Sequence, residues 1–79
     1  TDNLFSMYPN PSNNGVFKIS ISNSDLASLK VYDFSGRLIT EIKHLKNNDE
    51  VNLSQYQKGI YVARLTSKIK NSYLKLVID

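Results

Sequence analysis

The side chains in this sequence that could do chemistry are few, and their spacing assembles no reaction. His44 is the single histidine, so a nucleophile–histidine–acid relay has one candidate base. It falls at the end of a predicted strand, where a solvated surface residue is expected. Asp25, Asp33, Glu41, Asp49 and Glu50 offer carboxylates for acid–base work, but no pair has a spacing that points to a shared cleft, and Asp49-Glu50 reads as a polar turn. Cysteine is absent, which excludes thiolate zinc sites, and Asn47-Asn48-Asp49-Glu50 lacks the spacing of a helical calcium loop. Gly15, Gly36 and Gly59 stand singly, so no glycine loop cradles a phosphate. The reading is of a protein that is not an enzyme, with no catalytic residue, no metal and no cofactor.

What remains is charge. The formal net charge is +3, and between Val51 and Ile78 the charged residues are Lys58, Arg64, Lys68, Lys70 and Lys75, with no acid among them. Lysines that guard exposed strand edges account for this run better than an anion-binding face. Nucleic acid is not expected as a partner, because arginine is scarce and the tyrosines fall at core or corner positions. No segment approaches the ~20 apolar residues of a membrane-crossing helix, and no signal peptide opens the sequence. A start at Thr1 suggests a single domain, 1–79, cut from a longer precursor.

These residues must be positioned by strands. A chain of 79 residues buries only about 60–65% of its unfolded surface, which leaves room for one modest core and no deep cleft. Phe17, Ile19 and Ile21 alternate with Lys18, Ser20 and Ser22, the period-two pattern of a half-buried strand. Leu29 and Val31 alternate likewise, as do Leu38, Thr40 and Ile42, then Tyr61, Ala63 and Leu65, and finally Leu74, Leu76 and Ile78. Counting a short first segment, seven strands are predicted at 4–8, 16–22, 27–33, 37–43, 50–53, 60–66 and 72–78. The fold class this implies is all-β, an immunoglobulin-like antiparallel sandwich.

Between the strands, the breakers have distinct roles. Pro9 and Pro11 remove two backbone donors, so Tyr8-Pro9-Asn10-Pro11 must be a bend or crossover. Asn13-Asn14-Gly15 tolerates positive φ and closes the next loop. Asp33-Phe34-Ser35-Gly36 reads as a hairpin turn with a side-chain acceptor first and glycine at the left-handed position. Lys46-Asn47-Asn48-Asp49 is another turn, and Ile69-Lys70-Asn71-Ser72 lies in or beside the last. Tyr61 fits a tyrosine corner, its hydroxyl bonding to upstream backbone, while Tyr56 plugs the bottom of the sandwich beside a short helical turn at 54–57.

Taken in order, four of these groups resemble the C-terminal sorting domain of type IX secretion system cargo proteins of Bacteroidota. They are Tyr8-Pro9-Asn10-Pro11-Ser12, then Val31-Tyr32-Asp33-Phe34-Ser35-Gly36-Arg37, then Leu53, Tyr56, Gly59 and Tyr61, and last Lys75-Leu76-Val77-Ile78. The resemblance runs from Tyr8 to Ile78. It departs at Gln57-Lys58, where the family has a smaller loop, and at Asp79, where it commonly ends on a basic residue.

The resemblance implies a folded secretion signal that directs its cargo from the periplasm through the outer-membrane translocon. A sortase-like peptidase then removes it, leaving the cargo secreted or on the cell surface. It further implies that Lys75, Leu76, Val77 and Ile78, with Arg37, are read by the translocon, while Tyr8, Pro9, Asn10, Pro11, Asp33, Gly36, Gly59 and Tyr61 build the sandwich. The last strand is expected to offer both backbone edge and side chains, with Tyr73, Lys75 and Val77 opposite Leu74, Leu76 and Ile78. Two other readings compete. One is a fibronectin-like accessory module that touches carbohydrate or protein through Tyr32, Tyr56 or Tyr73, and the other is a spacer between domains.

Overall fold

A computed structural model describes residues 5–21, 27–67 and 71–79. Seven strands follow one another: β1 (Phe5–Tyr8), β2 (Val16–Ile21), β3 (Ala27–Tyr32), β4 (Leu38–Leu45), β5 (Glu50–Asn52), β6 (Gly59–Thr66) and β7 (Asn71–Ile78). They form a three-stranded sheet in the order β1-β2-β5 and a four-stranded sheet in the order β4-β3-β6-β7. Every strand pairing is antiparallel, and the two sheets enclose one core, as the immunoglobulin-like prediction requires. Asp25, Lys68, Ile69, Lys70 and the predicted strand residues 4 and 22 lie outside the described residues. Asn71 and Ser72, expected beside a turn, already belong to β7.

The core follows the alternation that defines each strand. Phe17 and Ile19 of β2, Leu29 and Val31 of β3, Val51 of β5, Ala63 of β6 and Leu76 of β7 are fully enclosed between the sheets. At about 25 cal/mol per Å2 of apolar surface, each of the large side chains among them stabilises the fold by roughly 1.5–3 kcal/mol.

One strand departs from its predicted pattern. In β4, Leu38 is exposed while both Ile39 and Ile42 pack against the core. The pairing with β3 shifts register between Val31 and Tyr32 and again between Ala27 and Leu29. Each bulge inserts a residue and turns the following side chains to the other face, so simple alternation of Leu38, Thr40 and Ile42 fails. His44 sits at the second irregularity with φ 60 and is exposed.

The turns hold as the composition demands. The 46–49 turn closes through Lys46 N–H donating to Asp49 Oδ2 at 2.8 Å and Asp49 N–H donating to the Lys46 carbonyl at 3.1 Å. Asn47 Oδ1 also accepts from Ile21 N–H at 2.9 Å, tying this turn to β2. Residues 54–57 form a turn rather than a helix, with Tyr56 N–H donating to the Leu53 carbonyl at 3.0 Å.

Candidate functional site

Strand β7 lies at the edge of the four-stranded sheet, paired on its inner side with β6 in the register Gly59↔Ile78 through Thr66↔Asn71. Leu76 and Ile78 are buried, Leu74 packs against the core, and Tyr73 and Lys75 are exposed with Val77 half-buried. The two faces of β7 therefore divide as the sequence predicts.

Its outer edge does not behave as predicted. After β1 the chain leaves the three-stranded sheet at Tyr8, crosses to β7 and returns to begin β2, with both the Tyr8-Pro9 and Asn10-Pro11 bonds cis. Asn10 Nδ2 donates to the Lys75 carbonyl at 2.8 Å, and Asn10 Oδ1 accepts from Val77 N–H at 3.0 Å. Ser12 N–H then donates to the Val77 carbonyl at 2.9 Å, and the Ser12 carbonyl accepts from Asp79 N–H at 2.8 Å, in a parallel bridge. One side-chain amide and one residue of backbone thus do the work of a neighbouring strand.

The backbone edge beside Lys75–Asp79 is consequently occupied from within the chain. Because both N–H and C=O of Val77 point outward, the same parity leaves the Lys75 N–H and the outward groups of Asn71 and Tyr73 as the open part of that edge. At the C-terminal end, what β7 offers a partner is side chains.

Ser12 itself is fully buried. Its Oγ donates within a knot that includes Asn14 Oδ1 and the Val16 carbonyl, both at 3.0 Å, and accepts from Gly15 N–H at 3.1 Å. Tyr8, Pro9 and Pro11 are exposed, so the bulky members of this segment do not build the core. Its polar members hold the crossover to β7. The sequence marks Ser12 only as the residue that ends the Tyr8–Ser12 motif, and nothing in its composition announces that it is buried.

The other marked residues are placed as follows. Gly59 opens β6 opposite Ile78. The buried Tyr61 donates its hydroxyl to the Gln57 carbonyl four residues upstream, the tyrosine corner expected. The Tyr56 hydroxyl donates to the Ile39 carbonyl at 3.0 Å while its ring packs on the core, so its hydroxyl and ring serve the fold.

In the hairpin turn, Asp33 Oδ1 accepts from Ser35 N–H and Arg37 N–H, each at 3.0 Å, and from Ser35 Oγ at 2.7 Å. Arg37 Nε stands 3.4 Å from Asp33 Oδ2. Arg37 is exposed, and β3 and β6 separate it from β7. The structure therefore does not bring Arg37 into one cluster with Lys75–Ile78.

The Ser35 hydroxyl first, and the Arg37 amide next, hold the Asp33 carboxyl below its ordinary value of 3.8. A carboxylate favoured by folding contributes stability above its unfolded pKa and loses that contribution as pH falls through the lower folded value. Melting the chain and its Asp33→Asn variant across pH values on both sides of 3.8 checks this. The difference between them should be constant above that value and shrink below it.

No group of three or more metal-ligating side chains occurs among the described residues. A shallow depression of about 340 Å3 lies between the hairpin turn and the loop leading into β6 and carries no paired carboxylates. The asset of this surface is an ordered strand with a fixed, solvent-facing side-chain row.

Comparison with known families adds what geometry alone does not. The family model described as a secretion system C-terminal sorting domain matches residues 6–79. The chain belongs to that family. It is a sorting signal of type IX secretion and not an enzyme, and it marks its protein for export across the outer membrane to the cell surface or the medium. The match enters β1 at Ser6 and spans β2 to β7 whole. No match is found among curated proteins.

Proposed function

We propose that this sorting domain ends a longer cargo precursor, delivers it to the outer-membrane translocon of type IX secretion, and is then removed by a sortase-like peptidase. The observation that carries the reading is the clasp of Asn10 and Ser12 on β7, which fixes the solvent-facing row of Lys75 and Val77 while Leu76 and Ile78 anchor it from beneath. Burial of a signal's own anchors makes recognition conditional on folding. A partner that reads Lys75 and Val77 reads them only on a completed sandwich. Arg37, held by Asp33 at the far side of the sheet, is proposed as a second, separate contact.

The test fuses the chain to the C-terminal end of a periplasm-directed fluorescent reporter in a secreting host. The reporter is expected outside the outer membrane and shortened by the 9.0 kDa of the domain. In a host whose peptidase is inactive, it should retain the domain. A reporter that stays in the periplasm would contradict delivery, and one exported at full length in a competent host would contradict removal.

A further inference from the structure

The outer face of the four-stranded sheet carries an arrangement that the sandwich itself does not need. Register places Leu38, Tyr32, Val62 and Lys75 in one row across four strands, and Glu41, Lys30, Arg64 and Tyr73 in the next. Leu38, Ile60, Val62 and Tyr73 are exposed apolar or aromatic residues on this sheet, at 45%, 41%, 37% and 66%. Lys30 and Arg64 are directly opposed across β3 and β6, a like-charge pairing that costs stability. Lys75 stands diagonally beside Arg64. Among the described residues, the one ion pair is Asp33–Arg37, so none of these three cations is held in a close ion pair; Glu41 stands across from Lys30 on the side away from Arg64. Arg64 Nε is buried and has no hydrogen-bond partner.

We infer that this face is a docking surface for an acidic, partly apolar segment of a protein of the secretion machinery, with a carboxylate received between Arg64 and Lys30 and apolar side chains laid on Val62 and Tyr32. The inference rests on the sorting reading and names the chemistry of what holds the domain. A guanidinium donates two parallel N–H hydrogen bonds to a planar carboxylate, and one that inserts beside the half-buried Arg64 would supply the acceptor its Nε lacks. A second copy of the chain is disfavoured, since stacking this face on itself would bring Lys30, Arg64 and Lys75 against their own kind. A lipid surface is disfavoured too, because Lys30 and Arg64 are half-buried rather than protruding.

The experiment titrates the isotopically labelled chain with a short peptide alternating glutamate and leucine, with its glutamine counterpart, and with phosphatidylglycerol vesicles, following backbone amides by NMR. Saturable shifts are expected at Lys30, Tyr32, Val62, Arg64 and Lys75 with the glutamate peptide, and about tenfold weaker binding with the glutamine peptide. Arg64→Gln and, separately, Lys30→Gln should each weaken the glutamate peptide severalfold with a melt no lower than the parent's, since each also relieves the like-charge pairing. Absent shifts, shifts centred elsewhere, equal binding of both peptides, preference for the vesicles, or self-association through this face would overturn the inference. A chain that directs export yet shows none of these shifts overturns this inference alone. One that fails to direct export overturns the sorting reading, whatever the titration shows.

Discussion

Replacing Gly15 with alanine is expected to destabilise the domain by about 2–5 kcal/mol, a large share of what so small a core can supply. Two independent costs meet at this position. Gly15 adopts φ +80, where an L side chain is strained, and a Cβ built there would lie 2.9 Å from Ser54 Cα and 3.0 Å from the Leu53 carbonyl carbon and oxygen. The neighbours are backbone and cannot rotate away. They are held close by Leu53 N–H donating to the Gly15 carbonyl at 2.8 Å. Gly36 is the natural comparison, because its φ is +91 but nothing lies within 4 Å of its Cβ position. Gly36→Ala should therefore cost only the strain, about 1–2 kcal/mol, and leave a folded hairpin. Urea denaturation of the two variants measures the gap directly, and equal losses would show that contact with Leu53–Ser54 does not matter.

The second large effect is expected from Asn10→Ala. It removes both side-chain bonds to β7 and leaves the Lys75 carbonyl and Val77 N–H without a protein partner, at a cost of about 1–3 kcal/mol. The consequence exceeds the energy, because an unblocked strand edge invites pairing with other chains. Hydrogen exchange at Val77 should accelerate well before exchange in β2, and the variant should associate at concentrations where the parent does not. Asn10→Asp keeps the acceptor for Val77 N–H and loses the donor to Lys75, so it should fall between the two. If Val77 exchange is unchanged in Asn10→Ala, the clasp is not what orders the terminal strand.

These two positions mark where sequence reasoning stopped. Alternation of Phe17, Ile19 and Ile21 and of Leu74, Leu76 and Ile78 sufficed to locate strands and assign their buried faces, because a period of two leaves little freedom once one face is apolar. Tyr61 was legible for the same local reason, its partner Gln57 being four residues away. Asn10 was legible only as part of a bend, since its partners lie 65 and 67 residues further along. Gly15 announced a positive φ but not the backbone pressed against it. Bulges in β4 insert residues without a compositional mark, so the exposure of Leu38 and the inward turn of Ile39 became visible only with the register. The expectation that the last strand offers its backbone edge near the terminus failed for the reason that makes the strand orderly: the crossover occupies it.

That outcome narrows the central claim to side chains. Deleting Lys75–Asp79 would not test it, because Leu76 and Ile78 are core residues and their loss would unfold the sandwich. The direct measurement is the exported fraction of a reporter fused to the chain carrying Lys75→Gln and Val77→Ser together, set against thermal melts of the same chain. Lys75 is exposed and Val77 half-buried, both on the outer face of a strand that Asn10, Ser12 and β6 continue to hold. The account predicts a melt close to that of the parent and export reduced about tenfold or more. Undiminished export from this folded variant would show that the machinery does not read β7 through these side chains.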